Sequence, residues 1–127
     1  MKKQDLPLSP HLQIYKPQIT SLLSISHRIS GVALNFVLII LVLGLLCITL
    51  GESYFELLIS LINSFPIKII IFLAILGFSY HFLNGIRHII WDFGFLLGNR
   101  SSAIFGYFII AISFISSIFI SRLLGLF

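Results

Sequence analysis

Charge is scarce in this chain: eight Lys and Arg and four Asp and Glu make up 9% of its 127 residues, against about 25% in an ordinary soluble domain. Cysteine occurs once, as Cys47 in the middle of a Leu- and Ile-rich run. A lone thiol excludes an intrachain disulfide and cannot by itself hold an iron–sulfur cluster, which needs several thiolates. The chain has no Gly-x-Gly-x-x-Gly turn, no phosphate-binding loop and no Ser/His/Asp arrangement in polar surroundings. Flavin, hydride and nucleotide chemistry therefore have no machinery here. Any redox role must use a cofactor held by histidine or a carrier dissolved in a membrane. Internal repeats and low-complexity tracts are missing too, and nothing points to nucleic acid. Asn99-Arg100-Ser101 fits a glycosylation triplet by chance, since the topology below puts it on the inner side.

Apolar residues fill the space that charge leaves. At 58% hydrophobic, with a mean hydropathy of +1.11, the composition is that of an integral membrane protein. Apolar runs from about Ile29 to Leu50, Ile67 to Ile90 and Ala103 to Leu126 each approach or exceed the roughly 20 residues that cross a hydrocarbon core. Without water to satisfy backbone groups, each must be helical, and this requirement overrides the weak helix propensity of Ile and Phe. The expected fold class is an all-α membrane protein, one domain over residues 1–127, with three transmembrane helices at about 23–50, 66–91 and 102–126.

Lys2, Lys3, Lys16, Arg28, Arg87 and Arg100 fall on the face shared by the N-terminus and the second loop, while Lys68 and Arg122 lie opposite, beside Glu52 and Glu56. Because the inner flanks of membrane helices hold the excess of Lys and Arg, the N-terminus is expected inside and the C-terminus outside. The net charge of +4 then points to anionic lipid or a partner subunit on the inner side. Residues 1–22, with Pro7, Pro10 and Pro17 among polar neighbours, read as an irregular inner-surface segment. Its apolar core starts too late for a secretory signal, and it lacks the Arg- and Ser-rich character of a transit peptide. That favours a bacterial cytoplasmic membrane, or an inner mitochondrial membrane protein made inside the organelle. Pro66 opens the second helix, and Gly94, Gly98 and Asn99 mark the second loop.

Each polar residue within an apolar helix is a functional hypothesis, because its burial in lipid is expensive. At 100° per residue, His81, Asn84, Gly85, His88 and Asp92 fall close to one stripe of the second helix. Ser24, Arg28, Gly31 and Asn35 share a face of the first, with His27 beside them. Gly31 and Gly85 are small enough for a neighbouring helix or a flat macrocycle to come close. His81 lies about 13 Å in from the inner end of its helix, a depth suited either to an axial haem ligand or to an interhelical hydrogen bond. His88, about 10.5 Å further on, reads as an interface residue. Arg28 and Arg87 either snorkel to headgroups or, for Arg28 with Ser24 and His27, bind a quinone carbonyl or haem carboxylates. Asp92 reads as a helix-end carboxylate.

Two motifs then carry a family resemblance. Pro7-Leu8-Ser9-Pro10-His11-Leu12-Gln13-Ile14-Tyr15-Lys16-Pro17 runs into Ser24-Ile25-Ser26-His27-Arg28-Ile29-Ser30-Gly31, and His81-Phe82-Leu83-Asn84-Gly85-Ile86-Arg87-His88-Ile89-Ile90-Trp91-Asp92-Phe93-Gly94 follows. The chain resembles the cytochrome b large membrane-anchor subunits of succinate dehydrogenase, respiratory complex II, over nearly its whole length. Leu6 stands where that family usually has Arg. The resemblance implies His81 as an axial ligand to haem b, with the second histidine from a small membrane-anchor subunit. It implies His27 and Arg28 near the haem propionates, and Ser24 and Arg28 in a ubiquinone pocket completed by the small anchor and an iron–sulfur subunit. FAD and iron–sulfur clusters would sit in partner flavoprotein and iron–sulfur subunits. Electrons from succinate would reach ubiquinone, Ser24 donating to a quinone oxygen and Arg28 stabilising developing negative charge. A quinol:fumarate reductase anchor and a non-redox transporter or assembly subunit are the alternative readings.

Overall fold

A computed structural model of the chain describes residues 16–127. The lead-in up to Tyr15, with most of the expected irregular segment, Leu6 and the first motif, lies outside the described residues. Those described form α1 (Ile19–Thr49), α2 (Glu52–Asn63), α3 (Phe65–Asp92) and α4 (Asn99–Leu123). Three of them, α1, α3 and α4, are long and apolar enough to cross a membrane. At 31 residues, α1 runs about 46 Å, so its ends reach beyond a hydrocarbon core of about 30 Å.

The helix ends follow local chemistry more closely than the apolar runs do. α1 starts at Ile19, ahead of the expected position near 23, because the helix propagates back through Thr20 and Ser21 until it meets Pro17. α3 carries Pro66 in its first turn, where the missing N–H removes no helical bond. Its other end is a Schellman turn: Gly94, at φ 81°, donates to the Trp91 carbonyl and Phe95 to that of Ile90. α4 closes the same way on Gly125, at φ 64°, with Gly125 donating to Arg122 and Leu126 to Ser121. That glycine stops the helix three residues short of the expected end near 126 and folds Leu126 back into burial.

The short helix α2 is absent from the expectation, since twelve residues cannot span a bilayer. Its Glu52, Ser53, Glu56, Ser60 and Asn63 fall on one arc at helical spacing, and half-buried Leu58 and Ile62 on another. Gly51, at φ 119°, supplies the turn out of α1 that a side chain would resist.

α3 is the central helix, packed on α1 and more extensively on α4. The close face of α4 is built from small residues, with Ser102, Gly106, Ser113, Ser117 and Ser121 buried around Ile109. Ser113 and Ser117 satisfy their hydroxyls on the carbonyls of Ile109 and Ser113, four residues back. At Gly106 a β-carbon would collide with the Leu23 side chain of α1 and lie 3.7 Å from Nη2 of Arg87. Gly106→Val is therefore expected to destabilise the bundle by about 1–3 kcal/mol, lowering the midpoint of heat-induced unfolding in detergent. Gly77→Val, where nothing lies within 4 Å of the new β-carbon, is the matched control. Equal effects from the two would show that the contact at Gly106 does not limit packing.

Candidate functional site

Three imidazoles, from His27 on α1 and His81 and His88 on α3, meet where the start of α1 lies against the end of α3. His27 sits between the other two. Its ring stacks on His81 with centroids 4.1 Å apart and planes 20° apart, and lies 5.2 Å from His88 at 34°. His88 in turn meets Trp91 edge to face at 5.2 Å. The described residues hold no group of three or more His, Cys, Asp or Glu arranged to bind a metal ion by themselves. The rings stack rather than converge.

The fixed end of His81 is Nδ1. It lies 3.1 Å from the backbone carbonyl oxygen of His27 and 3.1 Å from Oγ of Ser30, whose hydroxyl donates to the same carbonyl at 2.8 Å. A carbonyl only accepts, so the proton belongs on Nδ1, which leaves the lone pair on Nε2. Nε2 has no hydrogen-bond partner among the described residues. Gly31 lets α1 come this close: a β-carbon there would stand 2.9 Å from Cε1 of His81. An imidazole oriented through Nδ1–H to a carbonyl, with Nε2 free, is how proteins present histidine to a metal. The residues present therefore fit an iron porphyrin bound through Nε2.

The flank beside this ring is open. Ser24 is half-buried, Arg28 and Asn35 are exposed, and the Asn35 amide donates to the Gly31 carbonyl at 3.0 Å. Neither Ser24 nor Arg28 has a hydrogen-bond partner among the described residues. Four residues apart, they share one face of α1, on the same turns of the helix as His27. Nε2 of His27 is buried and unpartnered. A separate cavity of about 400 Å³ between α1, α3 and Ile120 of α4 is lined only by apolar side chains, among them Leu34, Val37, Ile71 and Phe78, and lacks polar recognition.

The structure separates residues that the helical wheel had grouped. Asn84 is fully buried and turns from the histidines toward Arg87, whose Nη1 lies 3.4 Å from its Oδ1. Arg87 does not snorkel: it is fully buried as well and bonds Ser102 of α4. Asp92 is exposed. Sequence reasoning passed over Ser30, the second partner of His81, and Tyr80, whose hydroxyl donates to the Leu23 carbonyl at 2.7 Å and ties α3 to α1. It also passed over the α4 face, although Ser113, Ser117 and Ser121 recur every fourth residue, a legible signal of close helix packing.

Residues 2–120 match the family of succinate dehydrogenase/fumarate reductase transmembrane subunits. The chain is 43% identical over 107 residues to a succinate dehydrogenase cytochrome b556 subunit of Rickettsia typhi, covering 84% of this chain and 83% of that one. It is 42% identical to a cytochrome b560 subunit of Chondrus crispus, covering 86% and 88%. With a cytochrome b560 subunit of Marchantia polymorpha it shares 45% identity, covering 75% and 73%. Three membrane-length helices and these matches together show that the chain belongs to the succinate dehydrogenase/fumarate reductase transmembrane subunit family.

Proposed function

We propose that this chain is the cytochrome b membrane anchor of a succinate:ubiquinone oxidoreductase, holding haem b on His81 and contributing Ser24 and Arg28 to the site where ubiquinone is reduced. The observation that carries the reading is the arrangement at His81: Nδ1 committed to the His27 carbonyl and Ser30, Nε2 free. A small membrane-anchor subunit would supply a further histidine to hold the group. Succinate oxidation belongs to a flavoprotein, and electrons arrive through an iron–sulfur subunit, since this chain has neither a dinucleotide-binding loop nor clustered thiols.

Haem, when bound, supplies a one-electron carrier within the bilayer. Everything else is positioning and charge from this chain. Ser30 and the His27 carbonyl hold the His81 ring plane, and Gly31 leaves space for it. Arg28 offers a fixed cation to propionate oxygens or a quinone oxygen, and His27, whose buried Nε2 is unpartnered, lies one residue before it. Ser24 donates a hydrogen bond to a quinone oxygen, and Arg28 favours negative charge growing there. The distribution of Lys and Arg supports an inner N-terminus and an outer C-terminus, with α2 lying along the outer surface.

The test is made on the assembled complex. Omitting this chain should abolish succinate-driven ubiquinone reduction while a soluble dye still accepts electrons from the remaining flavoprotein and iron–sulfur pair. Ubiquinone reduction that persists without it would refute the reading. Co-purified ubiquinone rather than menaquinone distinguishes this reading from a quinol:fumarate reductase.

A further inference from the structure

Arg87 is the most buried cation of the described residues, at 0% exposure, and it sits one ring contact beyond the histidine cluster. Its Nη2 donates to the Ser102 carbonyl at 3.1 Å and to Ser102 Oγ at 2.9 Å. Its Cζ lies 4.1 Å from the centroid of the Trp91 ring. The Trp91 ring then leads through His88 and His27 to His81. All of the guanidinium's partners are neutral. Among the described residues no carboxylate pairs with it, and Asp92, the nearest acid in sequence, is exposed. The donors around it are in excess as well: Nε of Arg87, Nδ2 of Asn84 and Nε1 of Trp91 are buried without an acceptor.

A guanidinium keeps its proton even when buried, so this knot holds a full positive charge that neither solvent nor a counter-ion among the described residues cancels. Isolated buried charges are expensive and are tolerated chiefly where they act. A mere helix clamp would need only the two bonds to Ser102, which a neutral donor could make. From residue 81 to residue 87, α3 rises about 9 Å along its axis; with the guanidinium turned toward α4 the charges stand somewhat further apart than that, a range over which a buried charge still acts on its neighbour. Resting on the reading of His81 as a haem ligand, we infer that Arg87 is a positioning residue whose buried charge raises the electron affinity of the haem on His81. Adding an electron to the iron lowers the net charge there by one, a change that a fixed cation favours. The hydrogen bonds to Ser102 hold that cation in place.

The test is a redox titration of the b-type absorbance in the whole complex, comparing Arg87→Gln with Arg87→Lys. The glutamine variant is expected to make haem reduction about tenfold less favourable, the scale for a unit charge roughly 10–15 Å away with an intermediate dielectric. The lysine variant, which keeps the charge but loses the planar fork, should stay near the unsubstituted midpoint. An unshifted midpoint in Arg87→Gln, or equal shifts in both variants, would overturn the inference. Should Arg87→Gln fail to assemble, Ser102→Asp carries the test: a carboxylate beside Nη2 cancels the charge while leaving the arginine, and should shift the midpoint the same way. An unmoved midpoint in that variant overturns the inference equally. A b-type spectrum missing from the unsubstituted complex would instead remove the ligand assignment on which it rests.

Discussion

Replacing His81 with leucine should abolish the b-type absorbance of the purified complex. Leucine fills a similar volume but offers no lone pair, and no second imidazole among the described residues is placed to take over. His27 is stacked face-on against His81, with its free nitrogen buried, and His88 lies beyond it. The same logic grades the neighbours. Ser30→Ala removes one of the two contacts that orient Nδ1, and loss of such an outer-shell partner costs roughly 10–100-fold in metal affinity or activity. Gly31→Ala drives a methyl toward Cε1 of His81, so it should shift the spectrum more than Gly85→Ala, whose new methyl would make only an ordinary 3.9 Å contact with His27. Haem content per flavin, read by absorbance, orders the series. An unchanged spectrum in His81→Leu would refute the assignment.

The second large effect is expected at the quinone. Arg28→Leu removes an exposed cation that no group among the described residues neutralises, and Ser24→Ala removes the hydroxyl one turn before it. Losing one electrostatic donor to a reacting oxygen typically costs 10²–10³ in rate. Succinate-driven ubiquinone reduction should therefore fall by about 10²-fold in Arg28→Leu and less in Ser24→Ala, because a fixed charge responds more strongly to growing negative charge than a neutral hydroxyl does. Reduction of a soluble acceptor, which draws its electrons before they reach the membrane, should be largely unaffected. Parallel loss of both activities would mean that Arg28 supports assembly rather than the quinone site.

How far the sequence revealed these features depends on the kind of physics involved. The three long helices α1, α3 and α4 were legible because lipid leaves the backbone only one solution over an apolar run. Their ends were less legible, since Pro17, Gly94 and Gly125 decide them through φ rather than through hydropathy. The helix α2 was missed because twelve residues that carry two acids and several other polar side chains read as a loop to a search for spans.

The site divides in the same way. Helical spacing brought His81, His88 and Gly85 to one stripe and Gly31, with His27 beside it, to another, and these residues do meet around the imidazoles. Asn84 went astray because a wheel gives the angle of a residue and not its neighbour, and Arg87 because a helix-end arginine reads as a snorkelling one until its partner helix is known. Asn84 is only 60° from His81 on the wheel, yet it belongs to the α4 contact, where Ser102 and Gly106 open space for a guanidinium. The Nδ1 contact with the His27 carbonyl was beyond any sequence pattern, since it depends on the separation of two helix backbones, which Gly31 permits.

The most direct test is a difference spectrum of the purified complex, reduced minus oxidised, taken with the unsubstituted chain and with His81→Leu side by side. The account predicts a b-type signal in the first and none in the second, with both preparations retaining flavin and this subunit. An unsubstituted complex that is colourless in the b-type region, or a His81→Leu complex with the full signal, would contradict it.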